Sequence, residues 1–297
     1  MIGALLETLR PRQWTKNLLV FAGLLFSQQF GEPGLVLRAV AGFFAFCLLS
    51  GSVYLLNDLT DAEADRQHPR KRLRPIPSGR LPGSAAIAAL PVLIATVFAI
   101  AWWLGAPFAG VAALYLALNL GYTFGLKRQV ILDVFIIALG FVLRALAGVE
   151  LLRPVSPATE ISPWLLVCTF FGALFLALAK RRREIANAGS GVAATQREVL
   201  SSYPPQLLDG MLLVSAAASL MGYALYTIWP ATVAKFHTQA LLYTVPIVAY
   251  GIFRYLYLVQ VSEASEDPSA VLLGDTPIRT TVALYLAAVV FILYGRP

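Results

Sequence analysis

Apolar residues along this chain come in long blocks rather than in alternation. Nine stretches, roughly 16–30, 35–57, 84–104, 107–124, 130–150, 162–180, 208–229, 239–259 and 279–294, carry few charges or none. A helix needs about 17–25 predominantly apolar residues to cross a hydrocarbon layer about 30 Å thick, and most of these blocks are that long. The pattern predicts an all-α polytopic membrane protein, a bundle of nine transmembrane helices. No linker-like stretch separates two halves, so residues 1–297 read as one domain, with residues 1–16 as an interfacial N-terminal segment. Gly42, Gly110, Gly140, Gly172 and Pro246 fall inside the blocks. Membrane helices tolerate them, and small residues let backbones approach.

Composition supports the same reading. The chain is 58% hydrophobic and 13% charged, against about 45–50% and about 25% for soluble domains. Cys47 and Cys168 lie in separate apolar blocks and read as packing residues. His68 and His237 are too isolated to build a metal site. The N-terminal stretch contains Arg10, Pro11, Arg12, Trp14 and Lys16 and shows no cleavable signal pattern; Trp14 is expected at headgroup level.

Charge gives an orientation. With nine spans, the N-terminus and the loops after spans two, four, six and eight share a side. That side holds 17 of the 23 Lys and Arg residues. The other side holds Arg38, Arg153, Lys235 and Arg296, while Arg144 and Arg254 fall inside spans. The positive-inside rule then places the basic side in the cytoplasm of a cell (inner) membrane. The long loops, 58–83, 181–207 and 260–278, are on that side, so cytoplasmic active-site loops are expected.

The densest chemistry closes the second block. Asn57, Asp58, Asp61 and Asp65 fall within a roughly 100° arc if one helix runs through them. Carboxylates so placed are costly unless neutralised. Three carboxylates and an amide form a hard-oxygen set suited to Mg²⁺, which takes one or two carboxylates and completes its shell with water and phosphate oxygens. Glu63 points away and reads as solvated. The basic run that follows, Arg66, Arg70, Lys71, Arg72 and Arg74, suits phosphate oxygens, although topology alone would also place arginines there. Lys127, after Tyr122 at the end of the fourth block, reads either as a helix-terminal cation or as a phosphate ligand. Asp133 and Arg144 share a helix face about 16 Å apart and must face the bundle interior. Arg254 in the eighth block raises the same question as Arg144: structural ion pair or phosphate path. Lys180, Arg181, Arg182 and Arg183 form a run at the end of the sixth block, either topological or an anion site. There is no P-loop, dinucleotide-binding glycine pattern or HExxH, and nothing points to nucleic acid.

These residues resemble a known family. The pattern Asn57-Asp58-x-x-Asp61-x-x-x-Asp65 at the end of the second of nine helices is similar to the first aspartate-rich motif of the UbiA-type intramembrane prenyltransferases. The run from Arg10 to Asn17, that from Ser52 through Asp65 to Ile76, Tyr122 to Lys127 with Asp133, Gly140 to Gly148, and Lys180-Arg181 with Glu184 look closest to the decaprenyl-phosphate phosphoribosyltransferase branch. That branch implies transfer of the 5-phosphoribosyl group of phosphoribosyl diphosphate to a polyprenyl phosphate, with Mg²⁺ and release of diphosphate. Prenyl-transferring members carry a second aspartate-rich motif after span six, where this chain offers Lys180, Arg181 and Arg182.

The expected metal and catalytic residues are therefore Asp58, Asp61 and Asp65. The expected substrate-binding residues are Lys16, Asn57, Arg66, Lys71, Arg72, Arg74, Tyr122, Lys127, Asp133, Arg144, Lys180 and Arg181. Two competing activities are a prenyl transfer from a polyprenyl diphosphate to an aromatic or other small acceptor, and transport without catalysis. Isoprenoid length and a homo-oligomeric state are left open by the sequence.

Overall fold

The computed structural model describes residues 1–27, 31–69, 71–157, 162–196, 198–261, 271 and 274–294. Arg70, Arg197, Arg296 and most of the expected loop 260–278 lie outside the described residues. Among the described residues there is no strand. The helices are α1 (Ile2–Thr8), α2 (Ala22–Ser27), α3 (Pro33–Thr60), α4 (Ala62–Gln67), α5 (Gly83–Leu104), α6 (Ala106–Phe124), α7 (Leu132–Glu150), α8 (Pro163–Gln196), α9 (Pro205–Ile228), α10 (Pro230–Phe236), α11 (Val245–Val261) and α12 (Thr276–Tyr294). Eight helical stretches are long and apolar enough to cross a membrane, and they coincide with eight of the nine expected spans.

The remaining span, 16–30, is built differently. Pro11–Phe21 winds as a 3₁₀ helix and only Ala22–Ser27 is α-helical. A 3₁₀ helix rises about 2.0 Å per residue against about 1.5 Å for an α-helix. The described part of this span, from Lys16 to Ser27, therefore reaches about 21 Å, longer than the same residues would as an α-helix but short of the hydrocarbon thickness. The sixth span also departs from its expected end at residue 180. Helix α8 continues to Gln196, so the Lys180–Arg183 run sits within a helix and not in a loop. Membrane crossing and helix length are separate limits: at 34 residues, about 51 Å, α8 exceeds what the hydrocarbon needs.

The chain forms two compact units. The first comprises Met1–Lys127 and Leu143–Glu160. Its core surrounds α3, whose buried face includes Phe46, Leu49 and Val53. The Phe46 ring meets Phe108 and Tyr115 edge-on, at 5.8 and 5.4 Å between centroids. Such pairs contribute about 0.5–1.5 kcal/mol beyond their buried area. The tightest approach is of backbone on backbone. A Cβ on Gly23 would strike the Gly148 carbonyl, and one on Gly148 would strike the Val20 carbonyl. Only glycine at both positions allows this contact. Helix α5 ends at Gly105, whose φ of 119° suits glycine alone, and α6 starts at the next residue. Arg38 serves two carbonyls at helix C-termini, which carry partial negative charge. It donates from Nε to the Leu151 carbonyl at 2.8 Å and from Nη2 to that of Leu104, and it stacks on Trp103.

The second unit comprises Arg128–Val142 and Ile161–Pro297. Here α8 pairs with α9 through small residues: a Cβ on Gly222 would just touch Cys168, and one on Gly172 would meet Ser219 Oγ. Phe175 packs edge-on against Tyr255 of α11 at 5.5 Å, and Tyr223 shares a hydrogen bond with Thr244. Helix α7 contributes its first half to this unit and its second half to the other.

The glycine contact gives a paired test. Gly148→Val forces apart two backbones and is expected to cost about 3 kcal/mol or more, in the range of severe overpacking. Gly110→Ala, where an added Cβ meets nothing within 4 Å, stays within about 1 kcal/mol of the parent. Thermal unfolding of detergent-purified protein reads both.

Candidate active site

The aspartates sit where α3 breaks. Helix α3 ends at Thr60, Asp61 takes φ −97° and ψ 6°, and α4 resumes at Ala62. The Asp61 N–H still donates to the Asn57 carbonyl at 2.9 Å, and the Asp65 N–H to that of Asp61 at 2.8 Å. Those two bonds carry the chain across the break, and the three carboxylates end in different environments. Asp58 and Asp65 are buried, with side chains 2% and 5% exposed, whereas the Asp61 side chain is 44% exposed.

Each carboxylate is met by cations of the first unit, Asp65 by near neighbours in the chain and Asp58 and Asp61 by more distant ones. Arg74 Nη1 donates to Asp58 Oδ1 at 3.1 Å and to Asp65 Oδ2 at 2.6 Å, bridging the buried pair. Arg10 Nη2 donates to the same Asp58 oxygen at 2.6 Å while its guanidinium lies 4.7 Å over the Tyr54 ring. Lys71 Nζ approaches Asp65 at 3.8 Å. Lys127 Nζ holds Asp61 through both oxygens, at 2.8 and 3.2 Å. Three carboxylates thus face four cations. Asn57 Oδ1 accepts from Thr123 Oγ1 at 2.7 Å, fixing this end of α3 to α6; Tyr122 is half-buried beside Thr123. Arg66 pairs with Glu63 at the surface, as the solvated reading of Glu63 expects, and Arg72 is exposed.

Among the described residues no three His, Cys, Asp or Glu side chains gather closely enough to hold a metal by themselves. The pair Asp58 and Asp65 is a different matter. Their oxygens converge on one nitrogen of Arg74, so both carboxylates are turned toward a common point. Two carboxylates are what Mg²⁺ ordinarily takes from a protein when phosphates supply the rest. The donor set fits that ion.

The remaining candidates form two other networks. In the first unit, buried Arg144 donates to Asn17 Oδ1 and to Tyr115 Oη, both at 2.7 Å, and Asn17 donates on to Ser50 Oγ at 3.2 Å. Ser50 lies eight residues before Asp58 on α3, about 12 Å along the axis. Lys16, next to Asn17, is half-buried on the 3₁₀ helix. In the second unit, Asp133 is fully buried and accepts from Arg181 Nε at 2.9 Å and Tyr203 Oη at 2.6 Å. Arg181 also donates to Glu184 at 2.7 Å. The Tyr203 oxygen accepts in turn from the N–H of Ile131, a β-branched residue held at φ 69°. Burial, and then the Asp133 carboxylate, raise the Tyr203 phenol above its ordinary range, so it stays a donor at neutral pH. Lys180 approaches Glu184 only at 3.9 Å, and Arg182 pairs with Asp209 at 2.8 Å where both are part exposed.

Sequence reasoning placed Lys16 in the site and missed Arg10. The clue available was the Arg-Pro step on the side of the membrane assigned to the aspartates. The 48-residue separation from Asp58 is invisible to any local pattern.

The profile of the UbiA prenyltransferase family matches residues 17–274. The chain belongs to the UbiA prenyltransferase family. Arg10 lies ahead of the part that this family profile covers. Two relatives are named decaprenyl-phosphate phosphoribosyltransferase. The one from Mycolicibacterium smegmatis is 38% identical over 76% of this chain and 70% of its own length. The one from Corynebacterium glutamicum is 34% identical over 100% of this chain and 89% of its own. A solved UbiA homolog from Archaeoglobus fulgidus bound to GPP and Mg²⁺ shares the fold, with a TM-score of 0.70 at 18% identity, over 98% of this chain and 99% of that one. Family and helices together make this a multi-pass membrane protein.

The buried network of this UbiA-family protein's second unit can be tested apart from catalysis. Arg181→Met strands Asp133 and is expected to cost about 3–5 kcal/mol, whereas the double variant Arg181→Met, Asp133→Leu recovers most of it. A thermal unfolding series in detergent reads the difference.

Proposed function

We propose that this UbiA-family protein transfers the 5-phosphoribosyl group of phosphoribosyl diphosphate to a polyprenyl phosphate and releases diphosphate. The observation that carries this reading is the identity, 34–38%, to relatives named for the decaprenyl-phosphate reaction, one of them aligned along the whole chain. The site agrees with it. Four cations surround three carboxylates, as suits a donor and an acceptor that both bring phosphate. Asp58 and Asp65, with Asp61 beside them, are the residues that would hold Mg²⁺; when bound, the ion neutralises charge on the leaving diphosphate.

The protein's own groups then bind and orient. Lys71, Arg74 and Lys127 bind phosphate oxygens through charge-assisted hydrogen bonds. Asn57, fixed by Thr123, orients the donor. Lys16, Arg66, Arg72, Tyr122 and Lys180 are further substrate contacts. Asp133, Arg144 and Arg181, engaged in buried networks, act by positioning their helices. In the reaction the bond from the anomeric carbon to the diphosphate oxygen breaks, its electron pair leaving with diphosphate. A lipid phosphate oxygen forms the new bond from the opposite face, so the carbon inverts. The loosening passes through an oxocarbenium-like state. An ionised phosphate already carries its attacking lone pair, so no general base is needed. Rate comes from proximity and electrostatic preorganisation.

The active side faces the cytoplasm of a cell membrane by the positive-inside rule, and residues 1–297 work as one domain. A second reading, prenyl transfer from a polyprenyl diphosphate, draws on the shared fold with the GPP-bound homolog.

Purified protein given labelled phosphoribosyl diphosphate, decaprenyl phosphate and Mg²⁺ should form a labelled lipid. Prenylation of an aromatic acid, with no labelled lipid, would replace this reading by the second. Asp58→Asn should lower kcat/KM about 100-fold or more. Lys127→Met should raise the donor KM about tenfold with less change in kcat.

A further inference from the structure

Arg10 is an unusual residue in an unusual place. It sits between α1 and the 3₁₀ helix with φ 53° and ψ 63°, a left-handed backbone on a non-glycine residue that precedes a proline. That conformation costs about 1–2 kcal/mol and is held by its neighbours. The Arg10 N–H donates to the Glu7 carbonyl, the Gln13 N–H to that of Arg10, and Trp14 Nε1 to that of Leu9. The strained turn aims the guanidinium at Asp58, where it shares one carboxylate oxygen with Arg74. Two guanidinium groups on one oxygen exceed what a single carboxylate needs. Arg74 also bridges to Asp65, while Asp58 is the one carboxylate that Arg10 holds among the described residues. While bonded to Asp58 the Arg10 guanidinium also lies over the Tyr54 ring, and its side chain remains 30% exposed. Its departure would leave Asp58 still paired with Arg74 and would uncover no second carboxylate.

We propose that Arg10 is an exchangeable counter-ion. In the ligand-free protein it neutralises Asp58. When a divalent cation takes that carboxylate, the displaced guanidinium turns to the diphosphate oxygens that arrive with the metal. This deepens the proposed function and rests on its reading that the aspartates hold Mg²⁺ with a diphosphate. The exchange keeps the local charge near balance at every stage: cations cover carboxylates first and phosphates afterwards. It has a consequence that a structural anchor lacks. Arg10 competes with the metal but assists the diphosphate, so it couples the two binding events, and by linkage the coupling is mutual.

The test uses full-length protein in detergent, Mn²⁺ as a paramagnetic stand-in for Mg²⁺, and inorganic diphosphate, which is common to the phosphoribosyl and prenyl readings. Arg10→Ala is expected to bind Mn²⁺ alone about three- to tenfold more tightly, and to bind diphosphate at saturating Mg²⁺ about tenfold more weakly, the size of one charge-assisted contact. Opposite signs are the signature. Arg10→Lys keeps a cation that can still face Asp58 and phosphate, though less well placed, so it should show the same two opposite changes, each reduced to about threefold or less. Should Arg10→Ala not fold, Arg10→Lys decides alone. Both affinities moving together, or an unchanged Mn²⁺ affinity, overturns the exchange. Asp58→Asn run in parallel separates the two claims. If it leaves Mn²⁺ binding intact, the metal reading of the aspartates fails and the exchange fails with it. If it abolishes binding while Arg10 variants behave as wild type, only the exchange fails.

Discussion

An ionised carboxylate buried at the end of an apolar helix is the constraint around which the first unit is arranged. Asp58 is nearly inaccessible, and α3 ahead of it is a long apolar span. Removing such a charge from water costs several kcal/mol unless it is paired and hydrogen-bonded. The pairing cannot come from α3 itself, which carries no cation in its last turn. It comes from Arg10, before the first span, and from Arg74, after a 3₁₀ turn. The left-handed turn at Arg10, the kink at Asp61 and the close of the 71–74 segment all bring positive charge to that carboxylate.

Much of the fold was legible because the bilayer leaves few solutions. Backbone groups in hydrocarbon must bond within their own segment, so apolar length translates into helices, and eight of nine blocks did so. The first span was not legible as a 3₁₀ helix, nor was the Gly23–Gly148 backbone contact beside it. Nothing nearby in sequence announces a contact that distant. The over-run of α8 was hidden because the charges at Lys180–Arg183 end the apolar block without ending the helix. In the site, the spacing of Asp58, Asp61 and Asp65 was readable, but the kink was not: residues 57–67 contain no proline or glycine. Asp133 and Arg144 were expected to face inward and to find other partners, and both do, in separate networks.

The basic run after span six takes on a different meaning once its partners are known. Arg181 is held by Asp133 and Glu184, Arg182 by Asp209, and Arg183 donates to the Leu258 carbonyl. The row of cations within α8 is therefore partly internal framework.

Exposure sorts these ion pairs by what they can do. Arg181 and Asp133 are both almost wholly buried. Separating them would strand two charges in a low-dielectric interior, so no ligand of ordinary affinity can part them. Arg10–Asp58, Arg74–Asp65 and Lys127–Asp61 each pair a carboxylate with a cation whose side chain keeps a fifth to a third of its surface open. Water can take up the cation's charge as it moves, which lowers the cost of exchange. In the pairs of Asp58 and Asp65 the carboxylate is the buried partner and the cation is the one in reach of water. Such an asymmetry suits a site that must receive a metal on fixed oxygens and phosphates on adjustable cations. A chain reading its function from motifs alone would weigh all its charged pairs alike; burial on one side of the pair and exposure on the other is what separates a binding site from a strut.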